Sequence, residues 1–389
     1  MLAARGMQNH HAYDVDIAPD AVAETVILGA YYAGRIELIR QGIFSRVKTV
    51  DIRSAYPSAC LNLPSLDGAK LVHRKRFDST KQGIWRVRWD MGSAPGIIAP
   101  FPVRIKQAIY WPAQGSGWYH GVEVAAAIES GYPVEVLEGW VLKESGVKPF
   151  AWIKPVFAER QRLKAEGSGA EKVIKLGLNA IYGKLAQGQG FNSRPAWQSY
   201  FWAGYITAAT RAKVLRAAAK STGIIMVSTD GIFCQSPGVR PGKNLGGWEF
   251  SNIDRLFAAQ AGVYQGITPD KEIVKSRGFF ASEVDYDELR EGWEIEGNKY
   301  THYYDSKRFY GLGISLMRKD FSIWRTWRVE RRALSLTAER KIAGPGGILT
   351  PFPGPLNSEP YAPKTSLIEQ RDENLRQIEG IDQPLREVM

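Results

Sequence analysis

Val47-Lys48-Thr49-Val50-Asp51-Ile52-Arg53-Ser54-Ala55-Tyr56-Pro57 is the stretch on which the reading of the fold turns. Its first half, VKTVDI, is rich in β-branched residues and reads as a buried strand that Pro57 brings to an end. A carboxylate closing a buried strand, with a tight turn and an aromatic ring just behind it, suits phosphoryl transfer. That chemistry needs carboxylates to hold divalent metals, and turn N–H groups can cradle a phosphate. A strand-end Asp that merely caps its own turn would look the same, so Asp51 has to be weighed with its neighbours along the chain.

Two further motifs join it. In Lys175-Leu176-Gly177-Leu178-Asn179-Ala180-Ile181-Tyr182-Gly183, the residues Lys175, Asn179 and Tyr182 stand at i, i+4 and i+7 and share one helix face, with Lys172 one turn earlier. A stripe of cation, amide and ring fits a nucleotide: charge for the triphosphate, polar contacts from the amide, a ring for the base. Arg160 and Lys164, four apart, lie on a preceding helix. A solvated basic hairpin has the same pattern. The third motif, Ser228-Thr229-Asp230-Gly231, sits inside IIMVSTDGIF, a β-hairpin whose tip would project the Asp230 carboxylate; an ordinary turn Asp is the plain alternative.

Around these motifs the chain divides as follows. Residues 1–20 read as an irregular lead-in, and His10 and His11 as part of a solvated, mobile N-terminus. A helical pattern begins at Ala21 and turns extended through AYYAGRIELI, and IWRVRWD (84–90) alternates as a strand with one wet face. GVEVAAAIESG is a short helix stopped at Gly131. Helices are expected over 155–166 and 171–187, with Gly167-Ser168-Gly169 as the turn, and over 204–220. The stretch AGPGGILTPFPGPLNSEP (343–360) has the composition of a linker, and the tail to Met389 that of a partly disordered segment.

Composition sets outer limits. The 389 residues allow two or three compact units. Lys plus Arg exceed Asp plus Glu by 51 to 40, a net charge of +11 that favours a polyanionic partner. Two distant cysteines, Cys60 and Cys234, give neither a disulfide framework nor zinc spacing. No apolar run reaches membrane-spanning length, and the N-terminus lacks a signal-peptide core. The expectation is a cytoplasmic protein without a membrane partner.

Taken together, the three motifs resemble those of family B DNA polymerases. Asp51 to Pro57 matches the first palm motif, D-x-x-S-x-Y-P; Lys175 to Gly183 matches the fingers motif, K-x-x-x-N-x-x-Y-G; and Ser228 to Gly231 matches the third motif, D-T-D-S. Tyr31-Tyr32-Ala33-Gly34 looks like the Y-x-G-G element, and Gly262-Val263-Tyr264 like the K-x-Y element, with Lys275 a substitute for the missing lysine. The likeness covers roughly residues 25–285 and is strongest to the protein-primed polymerases of phages and linear plasmids. The segment from Trp118 through Trp140 is similar to their insertion before the fingers. Ser228, Ala33, Ala180 and Gly262 depart from the family pattern. The interval from the fingers motif to Asp230 is short for the strand-displacement insertion, and the 30 residues before Tyr31 are too few for an exonuclease domain, which leaves Asp14 and Asp16 as a chance acidic pair.

The resemblance implies an α+β, right-hand polymerase fold with palm, fingers and thumb: palm over 21–149 with an insertion near 100–145, fingers over 150–189, second palm part over 190–285, thumb and tail over 286–389. It implies Asp51 and Asp230 as catalytic and, with the Ile52 backbone carbonyl, as ligands of two Mg²⁺ ions, for which Mn²⁺ can substitute. The nucleotide would meet Ser54, Ala55, Tyr56, Arg160, Lys164, Lys172, Lys175 and Asn179. Template and primer would meet Tyr31, Gly34, Tyr182, Gly183, Thr229, Tyr264 and Lys275. The activity implied is template-directed DNA synthesis from dNTPs on a primer-template, without its own proofreading, with a separate exonuclease or priming protein as an optional partner. Two alternatives stand beside it: a primer-independent primase-polymerase, and a catalytically weak accessory subunit that only binds nucleic acid.

Overall fold

The structure is a computed structural model that describes residues 9–92, 98–106, 108–187, 197–337 and 341–363. Its axis is the strand Gly42–Ile52, which lies inside a seven-stranded sheet in the order Arg35–Leu38, Met226–Thr229, Gly231–Cys234, Gly42–Ile52, Trp248–Gln260, Val263–Ile267, Glu272–Lys275. Every neighbouring pair is antiparallel. The axial strand starts earlier than the apolar run VKTVDI suggests. Ser45 and Arg46 are both exposed, and Arg46 has a positive φ of 54°, so the alternation that marks a strand in sequence is broken there.

Helix Tyr200–Lys220 packs behind this sheet and is buried along most of its length. It begins four residues before the position its sequence pattern indicates, because its start is capped from a distance. Ser199 Oγ accepts from the Trp202 N–H, while Asp14 accepts from Ser199 Oγ at 2.9 Å and from the Tyr200 N–H at 2.7 Å. The described part of the lead-in therefore forms a helix packed on the core, and Asp14 is no chance acid. Helix Asp14–Ile17 sits on the long helix, His10 meets Ser65, and His11 packs its ring against Trp197 and Trp202.

A second, five-stranded sheet runs in the order Leu356–Asn357, Gln114–His120, Gly83–Asp90, Val134–Lys143, Lys70–Arg74. Trp85, Trp89 and Tyr119 on its strands are fully buried, and helix Gly121–Glu129 joins it to the long helix. The edge strand Leu356–Asn357 lies in the stretch whose composition reads as a linker. Proline and glycine there set turns, and between the turns the segment pairs, in parallel, with Gly115 and Ser116. The tail from residue 364 falls outside the described residues.

Two antiparallel helices, Ile153–Ala165 and Ala170–Leu185, stand over one end of the first sheet. The second contacts the short helix Ala55–Cys60 and the long helix Tyr200–Lys220. Beyond residue 285 come helix Tyr286–Glu296 and a long hairpin, Thr301–Tyr310 with Thr326–Ser335. Among the described residues no helix is long and apolar enough to cross a membrane.

Candidate active site

Asp51 and Asp230 come together because strand Gly231–Cys234 pairs with Gly42–Ile52 in a register that sets Gly231 opposite Asp51. Asp230 occupies the turn just before. Thr229 takes a left-handed φ of 51°, the Asp230 N–H donates to the Ser228 carbonyl, and the Ile52 N–H donates to the Asp230 carbonyl at 2.9 Å. A Cβ on residue 231 would collide with Asp51 Oδ1, so glycine at this position gives the carboxylate its room. Burial, and then repulsion from Asp230, raise the Asp51 carboxyl to about 6; burial raises Asp230 as well.

The turn after Asp51 reverses the chain through Ser54, whose φ of 49° is also left-handed, into helix Ala55–Cys60. Arg53 is fixed by the Gly242 carbonyl and by Glu249 at 3.0 Å. Tyr56 leaves this helix and packs on Tyr182 of the helical pair, ring centroids 4.7 Å apart. Gly34 backs onto the same place: a Cβ there would lie 2.7 Å from Thr229 Cγ2 and 3.0 Å from the Tyr56 hydroxyl. Burial and the neighbouring Tyr182 push the Tyr56 phenol up to about 12, so it stays neutral.

Between sheet and helical pair lies a cleft of ≈ 470 Å³. Asp230, Thr229, Ile52, Ser54, Ala55 and Tyr56 line one wall; Arg160, Lys164, Lys175, Asn179, Tyr182 and Gly183 line the other. Arg160 reaches across, donating to Ser54 Oγ at 3.2 Å while Glu171 holds its Nε at 3.2 Å. Of the residues expected on the nucleotide, Lys172 does not line the cleft; it projects to solvent one turn away. Tyr31 lies behind the cleft, its hydroxyl 3.4 Å from that of Tyr182. Tyr264 and Lys275 face each other on neighbouring strands outside the cleft, and Tyr264 feels the Asp51 charge. Gly262, where the family pattern has lysine, turns a tight hairpin at φ 80°, with Arg277 packed over it; a lysine there would be strained. Ser228 and Asp51 do not line the cleft either; Asp51 stands behind Ile52 on its strand, opposite Gly231.

The sequence reading passed over Phe157, Gln161 and Glu249, which also line the cleft. Glu249 stands directly across the strands from Asp51, a relation between distant segments that no local spacing reveals. Among the described residues no cluster of three or more His, Cys, Asp or Glu could hold a metal ion; the acidic pair nearest the cleft is Asp51 and Asp230. That pair fits divalent cations. Two hard oxygen ligands repel each other across a half-buried gap, and a cation between them would remove the repulsion that raises Asp51.

The first sheet carries the two carboxylates and is faced by a basic helical pair. Residues 8–190 match the family of type B DNA polymerases, organellar and viral. The fold is similar to that of phi29 DNA polymerase complexed with primer-template DNA, with a TM-score of 0.55 and 16% identity over 80% of this chain and 62% of that one. In fold, then, the chain is similar to a family B DNA polymerase. Among curated proteins it is 29% identical over 130 residues, 33% of this chain, to a DNA polymerase of Acidianus bottle-shaped virus (isolate Italy/Pozzuoli). It is 24% identical over 245 residues, 55% of this chain, to the primer-independent DNA polymerase PolB of Escherichia coli. These matches span only 19% and 28% of the length of the two relatives.

Proposed function

We propose that the chain extends DNA by template-directed transfer of deoxynucleotides to a primer 3′-hydroxyl. The observation that carries this reading is the cleft itself. Asp230 lines one wall, with Asp51 on the neighbouring strand near enough to feel its charge, and Arg160, Lys164 and Lys175 line the opposite wall. Asp51, Asp230 and the Ile52 carbonyl would hold two Mg²⁺ ions, which when bound lower the pKa of the attacking hydroxyl and brace the triphosphate and the leaving pyrophosphate. The protein's share is positioning and charge. Arg160, Lys164 and Lys175 neutralise the triphosphate. Arg160 needs little reorganisation, because Ser54 and Glu171 already fix its guanidinium. The backbone at Ser54 and Ala55 meets the phosphates, Asn179 supplies polar contacts, and the Tyr56 ring forms the floor under the sugar. No protein nucleophile is needed.

In this reading the seven-stranded sheet is the palm, the helical pair the fingers, and the hairpin Thr301–Tyr310 with Thr326–Ser335 part of the thumb. Tyr182, Gly183, Gly34 and Thr229 border the template and primer side, with Tyr31 supporting them from behind. Tyr264 and Lys275 would meet the primer strand from beyond the cleft. The test is extension of a labelled primer-template by the purified chain with Mg²⁺ and the four dNTPs. Full-length product that depends on template and metal is expected; binding of DNA without extension would leave the chain an accessory subunit. The same assay without primer, on circular single strands, decides whether the property in the name of the Escherichia coli relative extends to this chain.

A further inference from the structure

We propose that Tyr361, on the C-terminal segment, is a positioning residue for nucleotide selection, acting through Tyr31 and Tyr182 on Tyr56. The inference rests on the polymerase reading above. It starts from the way residues 352–361 are strapped along the edge of the second sheet. The Ala113 N–H donates to the Phe352 carbonyl at 2.7 Å, and the Ser358 N–H to the Ser116 carbonyl at 2.8 Å. The Glu359 N–H donates to the Arg104 carbonyl at 2.9 Å, and the Tyr361 N–H to the Leu28 carbonyl at 3.1 Å. The Glu359 side chain also accepts from the Lys106 N–H at 2.7 Å, and Ser358 meets the Tyr32 hydroxyl. Hydrogen bonds spaced along the whole segment bring its last ring to a fixed place.

That place is one end of a row of tyrosines. Tyr361 packs on Tyr31 with ring centroids 5.2 Å apart and on Tyr200 at 5.6 Å, and Tyr31 and Tyr200 meet at 4.9 Å. Arg104 stacks its guanidinium 5.3 Å from the Tyr361 ring and 4.7 Å from that of Tyr32, and donates to the Tyr31 carbonyl. From Tyr31 the row continues through the hydroxyl contact with Tyr182, and the Tyr182 ring packs on Tyr56. Tyr56 belongs to the sheet side of the cleft and Tyr182 to the helix side, so their contact spans the two walls where the sugar would sit. Tyrosine has only two side-chain torsions, and close-packed rings transmit displacement rather than absorb it. Removing the ring at 361 frees Tyr31 to withdraw from Tyr182, which loosens the Tyr56–Tyr182 contact and admits a bulkier sugar.

The experiment measures kcat/KM for a dNTP and for the matching ribonucleotide, with Mg²⁺ and a primer-template, in the full chain and in Tyr361→Ala, Tyr361→Leu, Tyr361→Phe and Tyr56→Ala. Tyr361→Ala and Tyr361→Leu are expected to lower the deoxy-to-ribo ratio about threefold or more, with a higher KM for the dNTP and kcat within about twofold of wild type. Tyr361→Phe keeps the ring and should keep the ratio. A residue that only packs the tail would lower thermal stability and the active fraction, leaving ratio and KM alone. If the Ala variant fails to fold, the volume-filling Leu variant carries the test. A ratio that moves in Tyr56→Ala while staying at the wild-type value in Tyr361→Ala and Tyr361→Leu overturns the proposal. A wild-type chain that extends no primer overturns the polymerase reading, and this one with it.

Discussion

The chain withdraws acidic side chains from water in two regions and treats them in opposite ways. In the scaffold each has donors to match. Glu123 accepts from Arg211 Nε and Nη2 at 2.7 and 2.8 Å, and Arg211 Nη1 donates to the Tyr32 and Ala33 carbonyls. Glu37 lies between Arg35 and Lys341; burial pushes its carboxyl up, but the two cations win and hold it below the usual carboxylate range. At the cleft, Asp51 has the acid Asp230 as its charged neighbour instead, and burial, then repulsion from Asp230, raise Asp51. A buried acid with its counter-charge built in serves the fold. Under the proposed function, a pair of acids without one is a place kept for cations that arrive from outside, whose binding would relieve the repulsion.

Charge removal should therefore act oppositely in the two regions. Asp230→Asn is expected to lower single-turnover extension by about ten-thousandfold or more, ~5.5 kcal/mol in the barrier. DNA binding and the melting temperature should hold or rise, because one member of a repelling pair is gone. Extension within about tenfold of wild type, ~1.4 kcal/mol, would remove Asp230 from the donor set. Glu123→Ala should do the reverse. It strands the Arg211 guanidinium, and breaking a buried pair costs about 3–5 kcal/mol, read as a shifted urea midpoint. A shift worth under ~1 kcal/mol would mean that the scaffold acids are no better matched than the cleft acids.

The same contrast explains what could be read in the sequence. Asp51 to Pro57, Lys175 to Gly183 and Ser228 to Gly231 are legible because each is a local pattern: a strand end, a helix face, a hairpin tip. The cleft is made by folding those three together, so most of its lining follows from them. The matching of scaffold charges is not local. Arg211 and Glu123 are 88 residues apart, and Asp14 caps a helix 186 residues away. Glu249 reaches Asp51 only through strand register, and the segment 343–360 reads as a linker because proline and glycine report turns, whereas docking depends on what lies opposite. Lys172 fails for a different reason: it shares the helix stripe, but the cleft ends a turn short of it.

Tyr56 sharpens the comparison from the cleft side, with an effect on selectivity instead of overall rate. If its ring lies under the sugar, Tyr56→Ala should change the ratio of kcat/KM for deoxy- and ribonucleotide by about tenfold, ~1.4 kcal/mol in differential transition-state binding. A ring that only packs against Tyr182 would lower both values together, and an unchanged ratio in a folded variant would take Tyr56 out of selection.

Asp14 gives the smallest effect and lies between the two kinds of acid. It has scaffold-like donors, from Ser199, Tyr200 and Phe201, yet burial outweighs them and raises its carboxyl from 3.8 to about 6. Loss of the cap in Asp14→Ala should cost about 1 kcal/mol at pH 7. The raised value fixes the sign of the pH dependence. Between about pH 4 and 6 the folded chain holds a proton that the unfolded chain has released, so the stabilisation is full below ~4 and lost as pH rises through ~6. Measured as the difference from Asp14→Asn, which cancels every other titrating group, wild type should gain about 1 kcal/mol on going from pH 7 to pH 5. The opposite slope, with wild type losing ground as the pH falls, would mean that the N-terminal dipole of helix Tyr200–Lys220 and its N–H groups favour the charged carboxylate over burial. Asp14 would then be a fully matched scaffold acid like Glu37, and the carboxylates of the cleft would be set apart more sharply still.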